Sequence, residues 1–270
     1  MTVGGPAALT VGGTAALTVG GTAAMRGDHM VTTTDSPTPG PSIPAENTVL
    51  VALLADRAAL DVTLDRFAGA FTVLSGLLVT SSDAAVLDRV RAPDLLADWP
   101  LPGDVDCARG VDLLRQSGAA PEDEAVVRRD YNRLFYGPGP MIAPPYESVH
   151  RSEERLVFEQ ETMQVRAAYA AFGLAAPRLN KEPDDHLGLE LGFLGALCVQ
   201  AMDAIDAGDE PELVRVLTGI QDFLDEHLLE WGPQCLAQAA EGATTLFYRG
   251  VAALGLGTLR SARDIFLPLP

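Results

Sequence analysis

Fourteen residues near the middle of the chain, YGPGPMIAPPYESV at 136–149, hold four prolines and two glycines. Proline lacks the backbone donor and bars the residue before it from helical geometry, so no helix crosses this stretch. Whatever the chain builds, it builds on the two sides of a connector. Both sides carry helical periodicity. Leu53, Leu60, Leu64, Phe67 and Phe71 recur at helical spacing within an Ala/Leu/Val-rich run at 47–79. A break at Ser81, Ser82 and Asp83 precedes a shorter helix ending near Arg91. The prolines of RAPDLLADWPLPGD (91–104) then interrupt the pattern. Further helices are predicted at about 104–117, 121–135, 151–173, 184–207, 209–230, 232–241 and 243–263. No segment alternates with period two, so no sheet is expected. The prediction is a single all-α domain of nine or ten helices, with a Pro/Gly-rich connector.

Composition agrees: 47% of residues are hydrophobic but only 6% aromatic, a balance that favours helices. The N-terminus is different. Residues 2–25 read TVGGPAAL, TVGGTAAL, TVGGTAAM, and 31–44 form a Pro/Thr/Ser-rich linker. An octapeptide period is too short for a helical solenoid. Residues 1–45 are therefore expected to be a disordered tail, with Met25 or Met30 as alternative starts, and 46–270 the folded body. The first positive side chain is Arg26, so a secretory leader is not expected. No run of 18 consecutive apolar residues occurs, and the chain is expected in the cytoplasm without stable membrane insertion.

The net charge is −18; residues 1–45 hold one arginine and two aspartates, which leaves −17 on the body. Such a field repels nucleic acid and attracts cationic peptides. Cys107, Cys198 and Cys235 form no CxxC or Cys/His spacing, so no disulfide framework, zinc site or other metal centre is expected.

The densest chemistry lies in EPDDHLGLELGFL (182–194). His186 and Glu190 stand four apart, on one helix face, with Asp185 beside the histidine. A metal would need a third ligand, and the other histidines, His29, His150 and His227, sit in no HxxxH or HExxH pattern. No nucleophile motif accompanies a base at His186, and GLGTLR (255–260) lies within a helical pattern, where it cannot cradle phosphate. Pro183 and the acids Glu182, Asp184 and Asp185 suit the start of a helix. The connector's Phe135, Tyr136, Met141, Ile142 and Tyr146 form either a peptide-binding lip or a packed joint. In DEHLLEWGP (225–233), Trp231 reads as a core cover at a helix end.

Three blocks in one order, YNRLFYGPGPMIAPPYESVH (131–150), EPDDHLGLELGFL (182–194) and HLLEWGP (227–233), followed by FYRGVAAL (247–254), resemble the TorD/DmsD family of redox enzyme maturation chaperones. The resemblance covers about residues 50–265. It implies an all-helical cytoplasmic chaperone, with no catalytic residue and no cofactor of its own. Such a chaperone binds the twin-arginine signal peptide and apo-form of a molybdenum-cofactor oxidoreductase, assists cofactor insertion and delays export. The family's EPxDH motif falls on Glu182, Pro183, Asp185 and His186. Its connector motif supplies Tyr136, Gly137, Pro138, Pro145 and Tyr146, and Glu190 joins them on charge. His150 stands where the family tends to carry an aromatic residue. The resemblance makes 182–190 a helix N-terminus presenting acids and a histidine to a peptide. The alternatives are a nucleotide-binding or cofactor-handling protein using His186, and a helical scaffold subunit. The connector is also a candidate hinge for exchange between two copies of the chain.

Overall fold

A computed structural model describes residues 18–19, 47–120, 122–137, 139–151, 160–176 and 183–268. The expected disorder of 1–45 falls outside these, apart from two residues. Thr18–Val19 (β1) pairs antiparallel with Leu174–Ala175 (β2), Thr18 opposite Ala175 and Val19 opposite Leu174. This two-residue ladder corrects the expectation of no sheet; it is too short to show as an alternating pattern.

The rest is helical. In chain order the helices are α1 (Thr48–Ala55), α2 (Arg57–Val79), α3 (Ala84–Val90), α4 (Pro93–Ala97), α5 (Val105–Ala119), α6 (Glu124–Phe135), α7 (Glu147–Arg151), α8 (Gln160–Ala171), α9 (Leu187–Ala207), α10 (Glu210–Phe223), α11 (Leu229–Gly242) and α12 (Leu246–Phe266). Nine of them have eight residues or more, and α3, α4 and α7 are short. The predicted helix at 47–79 is two helices, because Asp56 leaves helical geometry and its carboxylate caps Ala59 N–H at 3.1 Å. The predicted break at Gly232-Pro233 does not occur. Pro233 lies inside α11, and a π-helical turn at Leu224–Leu228 joins α10 to α11 ahead of it.

Two helix pairs carry the architecture: α2 packs along α9, and α5 along α12. Small residues bring both pairs close. A Cβ on Gly188 would lie 2.5 Å from Val79 Cγ2 and 3.1 Å from the Ser75 carbonyl oxygen. One turn on, a Cβ on Gly192 would meet Ser75 Oγ at 2.9 Å. Across the second pair, a Cβ on Gly110 would sit 2.8 Å from the Gly250 carbonyl oxygen. Gly255 and Gly257 thus serve helix packing within α12. By length and composition α2 and α9 could each cross a membrane, but half or more of each apolar stretch is buried in this core. Helices apolar on most sides are what the centre of a bundle requires.

The few aromatics concentrate where elements converge. Phe67 of α2 meets Phe266 of α12 at 5.1 Å, and Phe193 of α9 lies 4.7 Å from both Tyr169 and Phe223. Asn47 ties the two ends of the body together: its Oδ1 caps Leu50 N–H at 2.9 Å and its Nδ2 donates to the Phe266 carbonyl at 2.7 Å.

Gly188→Ala is expected to destabilise the fold by about 1–3 kcal/mol, because the new methyl meets backbone that cannot rotate away. Gly76→Ala in α2, where a Cβ has nothing within 4 Å, is expected to stabilise by up to about 1 kcal/mol through helix propensity. Urea unfolding of both variants checks the contrast.

Candidate functional site

The connector (136–149) and the acidic stretch (182–194), 33 or more residues apart in sequence, are joined by backbone. Tyr146 and His186 form an isolated antiparallel bridge. Glu147 N–H donates to the Asp185 carbonyl at 3.0 Å, and Leu187 N–H to the Pro145 carbonyl at 2.8 Å. The Tyr146 and His186 rings meet edge to face at 5.3 Å. Pro144 and Pro145 have no N–H to contribute, and the bridge is made by the Pro145 carbonyl and the Glu147 N–H on either side of Tyr146.

Beneath the bridge lies a knot of buried charge. Asp184, Asp185, Glu147 and Glu190 have no solvent exposure, and His186 and His227 have under a tenth. A carboxylate tolerates burial only with partners or a proton, and each of these four has its own solution. Asp185 accepts from Ser148 N–H at 2.9 Å, Ser148 Oγ at 2.6 Å and Thr162 Oγ1 at 2.8 Å, and so caps α7 from a distant part of the chain. Asp184 pairs with the Arg166 guanidinium, whose Nε is 2.9 Å away, while its backbone carbonyl accepts from Tyr169 Oη at 3.0 Å. Glu147 pairs with Arg151 and with His227 Nδ1 at 3.0 Å. Arg151 also donates to the Glu226 carbonyl at 2.7 Å.

Glu190 is handled differently. Its Oε2 accepts from Trp231 Nε1 at 3.3 Å, and Oε1 has no hydrogen-bond partner. Burial first, then the nearby Glu147 and Asp185 carboxylates, push its pKa well above the ordinary range. His186 caps α9: its Nδ1 accepts from Gly188 N–H at 3.0 Å, so that nitrogen carries no proton. Burial lowers the His186 pKa from 6.5 to about 4, against the opposing pull of Asp185.

The stretch is a helix start, as expected, and the side chains of Asp184, Asp185, His186 and Glu190 are buried within it. Sequence position could not tell burial from exposure, since both suit a helix N-terminus. Among the described residues no group of three or more His, Cys, Asp or Glu is arranged to hold a metal. Pro183 and Pro145 are also buried, Tyr146 is half-buried, and Tyr136 and Gly137 are exposed, Tyr136 at 66%. Glu182 and Pro138 lie outside the described residues. Ile142 remains partly exposed while its Cγ2 packs beside Gly242, so the connector is both a packed joint and an open edge. Trp231 covers the core as expected, fully buried, and stacks 5.2 Å from His150. His150 itself reaches the Pro144 carbonyl at 2.8 Å.

Sequence reasoning did not assign Ser148, Thr162, Arg151, Arg166 and His227 to the site. The one available signal was Ser148 and Glu147 within the connector motif. Thr162 and Arg166 stand four apart on α8, and only tertiary contact reveals whom they serve.

The two signature segments thus close over a buried charge knot within a helical body. The comparisons with known proteins agree with the resemblance those segments carry. Residues 106–237 match the family described as nitrate reductase delta subunit. The probable Tat proofreading chaperone DmsD of Haemophilus influenzae is 26% identical over 186 residues, covering 68% of this chain and 82% of that protein. The Tat proofreading chaperone DmsD of Salmonella typhi is 26% identical over 199 residues, 72% and 88% of the two chains. The chaperone protein TorD of Aliivibrio salmonicida is 29% identical over 122 residues, 45% and 55%. The chain is thus similar to the TorD/DmsD family, whose named members are chaperones.

Two outcomes follow from the knot. A histidine with a depressed folded-state pKa contributes stability that is complete above its unfolded pKa and is lost as protons bind. Stability should therefore fall as pH drops from about 6.5 through about 4, with His186 supplying about 3 kcal/mol of the loss. His186→Asn, which keeps a capping oxygen, should lack that slope in urea titrations across this range. Asp185→Ala strands the Ser148 and Thr162 donors and should cost about 3 kcal/mol or more in the same assay.

Proposed function

We propose that the chain is a client-specific chaperone of the cytoplasm that binds the twin-arginine signal peptide and apo-form of a molybdenum-cofactor oxidoreductase. On this reading it assists cofactor insertion and holds the client back from export. Residues 46–270 act as the chaperone domain, with 1–45 as an appendage. The observation that carries the reading is the Tyr146–His186 bridge, which seats the apolar connector on the start of α9. Relatives named as Tat proofreading chaperones support it.

The division of labour follows from burial. Pro183, Asp185, His186 and Glu190 hold the connector from below, and the peptide meets what stays exposed: Tyr136, Gly137, Ile142 and the open side of Tyr146. Arginines of a leader pair with surface acids, since the knot's own carboxylates are taken. Asp222, Asp225, Glu226 and Glu230 are exposed along the α10–α11 joint, beside α7 through the Arg151 contact to Glu226. Burial and the neighbouring Glu226 and Asp225 raise the Asp222 pKa, the mark of crowded negative charge that a guanidinium would relieve. Apolar contacts supply most of the affinity and the charges set specificity.

The test is capture from the host lysate with the full chain as bait, followed by titration of the captured client with and without its leader. A molybdoenzyme precursor held only through its leader is the expected result. Tyr136→Ser should weaken leader binding about tenfold, the worth of one apolar anchor, with unchanged thermal stability. A partner held equally well without any leader would instead make the chain a scaffold subunit.

A further inference from the structure

Away from the connector, the packing leaves an apolar cavity of about 50 Å3 between α2, α4 and the helices behind them. Gly69, Val73 and Leu77 of α2 form one wall, Leu96 and Trp99 the other, and Leu254 of α12 lies at the base. The lining offers a water few hydrogen bonds, and an apolar space of this kind stays dry and takes apolar groups. Two features mark the cavity as more than a packing fault. The α4 wall is a five-residue helix with no side-chain cap at its N-terminus, so it can yield to a guest. The rim is acidic: Asp98 lines the mouth, Asp94 stands one turn earlier on α4, and Asp65 one turn before Gly69 on α2. All three are exposed, and none is in an ion pair among the described residues.

We propose that this cavity is a subsite for the branched aliphatic side chain of a basic peptide, with the peptide's cationic residues held by the Asp65, Asp94 and Asp98 rim. A neutral apolar compound would gain nothing from the three carboxylates, and an anionic lipid would be repelled by them. A segment in which arginine precedes leucine-type residues satisfies both halves of the site. The proposal rests on the signal-peptide reading above and adds a second contact, on a face of the body that neither signature motif occupies.

Gly69→Leu is the direct probe. A Cβ at Gly69 meets only Pro100 Cγ at 3.5 Å, an ordinary contact, so the variant folds and its remaining atoms enter the cavity. Helix propensity should raise its Tm. The readout is binding of a twin-arginine, leucine-rich peptide to the full chain labelled with 5-fluorotryptophan. The two tryptophans give separate fluorine resonances, assigned with Trp99→Phe. The expected result is a shift of the Trp99 resonance on saturation and about tenfold weaker binding by Gly69→Leu, the loss of one buried aliphatic contact. The paired variant Asp94→Lys with Asp98→Lys, confined to the surface, should weaken the same peptide and leave Tm unchanged. Wild-type binding that leaves Trp99 unmoved and that Gly69→Leu retains in full would overturn the subsite while the signal-peptide reading stands. No binding by the wild type would overturn both.

Discussion

Asp185 has no solvent contact, and its two oxygens accept from one backbone N–H and two hydroxyls contributed by α7 and α8. Stripping water from a carboxylate costs several kcal/mol unless such donors replace it. The replacement works only when the connector, α8 and the start of α9 are all in place. The same residue's backbone carbonyl accepts from Glu147, so side chain and main chain impose one register. The position of the connector is therefore tied to this carboxylate as well as to the apolar contacts around it.

Around Asp185 the other buried acids are neutralised in different ways, and the differences set what can move. Asp184 and Glu147 have arginine partners that are themselves partly exposed, so their charge reaches the surface through the guanidinium. Glu190 has its pKa raised by burial and by its acidic neighbours, and His186 caps α9 through an unprotonated Nδ1. A site holding this many carboxylates under a strongly negative body is thus nearly silent as a charge. The negative field outside therefore comes from the surface acids, and the buried groups supply rigidity beneath them.

The glycines complete the frame. Each glycine within a helix forgoes up to about 1 kcal/mol of propensity, and at Gly188, Gly192, Gly110 and Gly250 the return is contact at backbone distance. Close approach of α9 to α2 holds the N-terminus of α9 against Val79, which is where the His186 cap and the Tyr146 bridge sit. Core packing and site geometry are therefore one construction.

Helical class, the connector and the start of α9 were all legible in local pattern, because periodicity and proline act through near neighbours. The short helix α4 and the β1–β2 ladder were not, since neither is long enough to repeat. The helix through Pro233 was not legible either, since proline ordinarily marks a break, whereas here a π-helical turn runs directly into α11 and Pro233 lies near the start of that helix. By itself the sequence determined an acidic helical body and the two motifs that mark its family. The tertiary structure decided that the acids of 184–190 face inward, that Ser148, Thr162, Arg166 and His227 serve them, and that Tyr136 stays exposed. An aspartate at a helix start suits solvent and interior alike, and only donors brought from distant helices make the interior the better place.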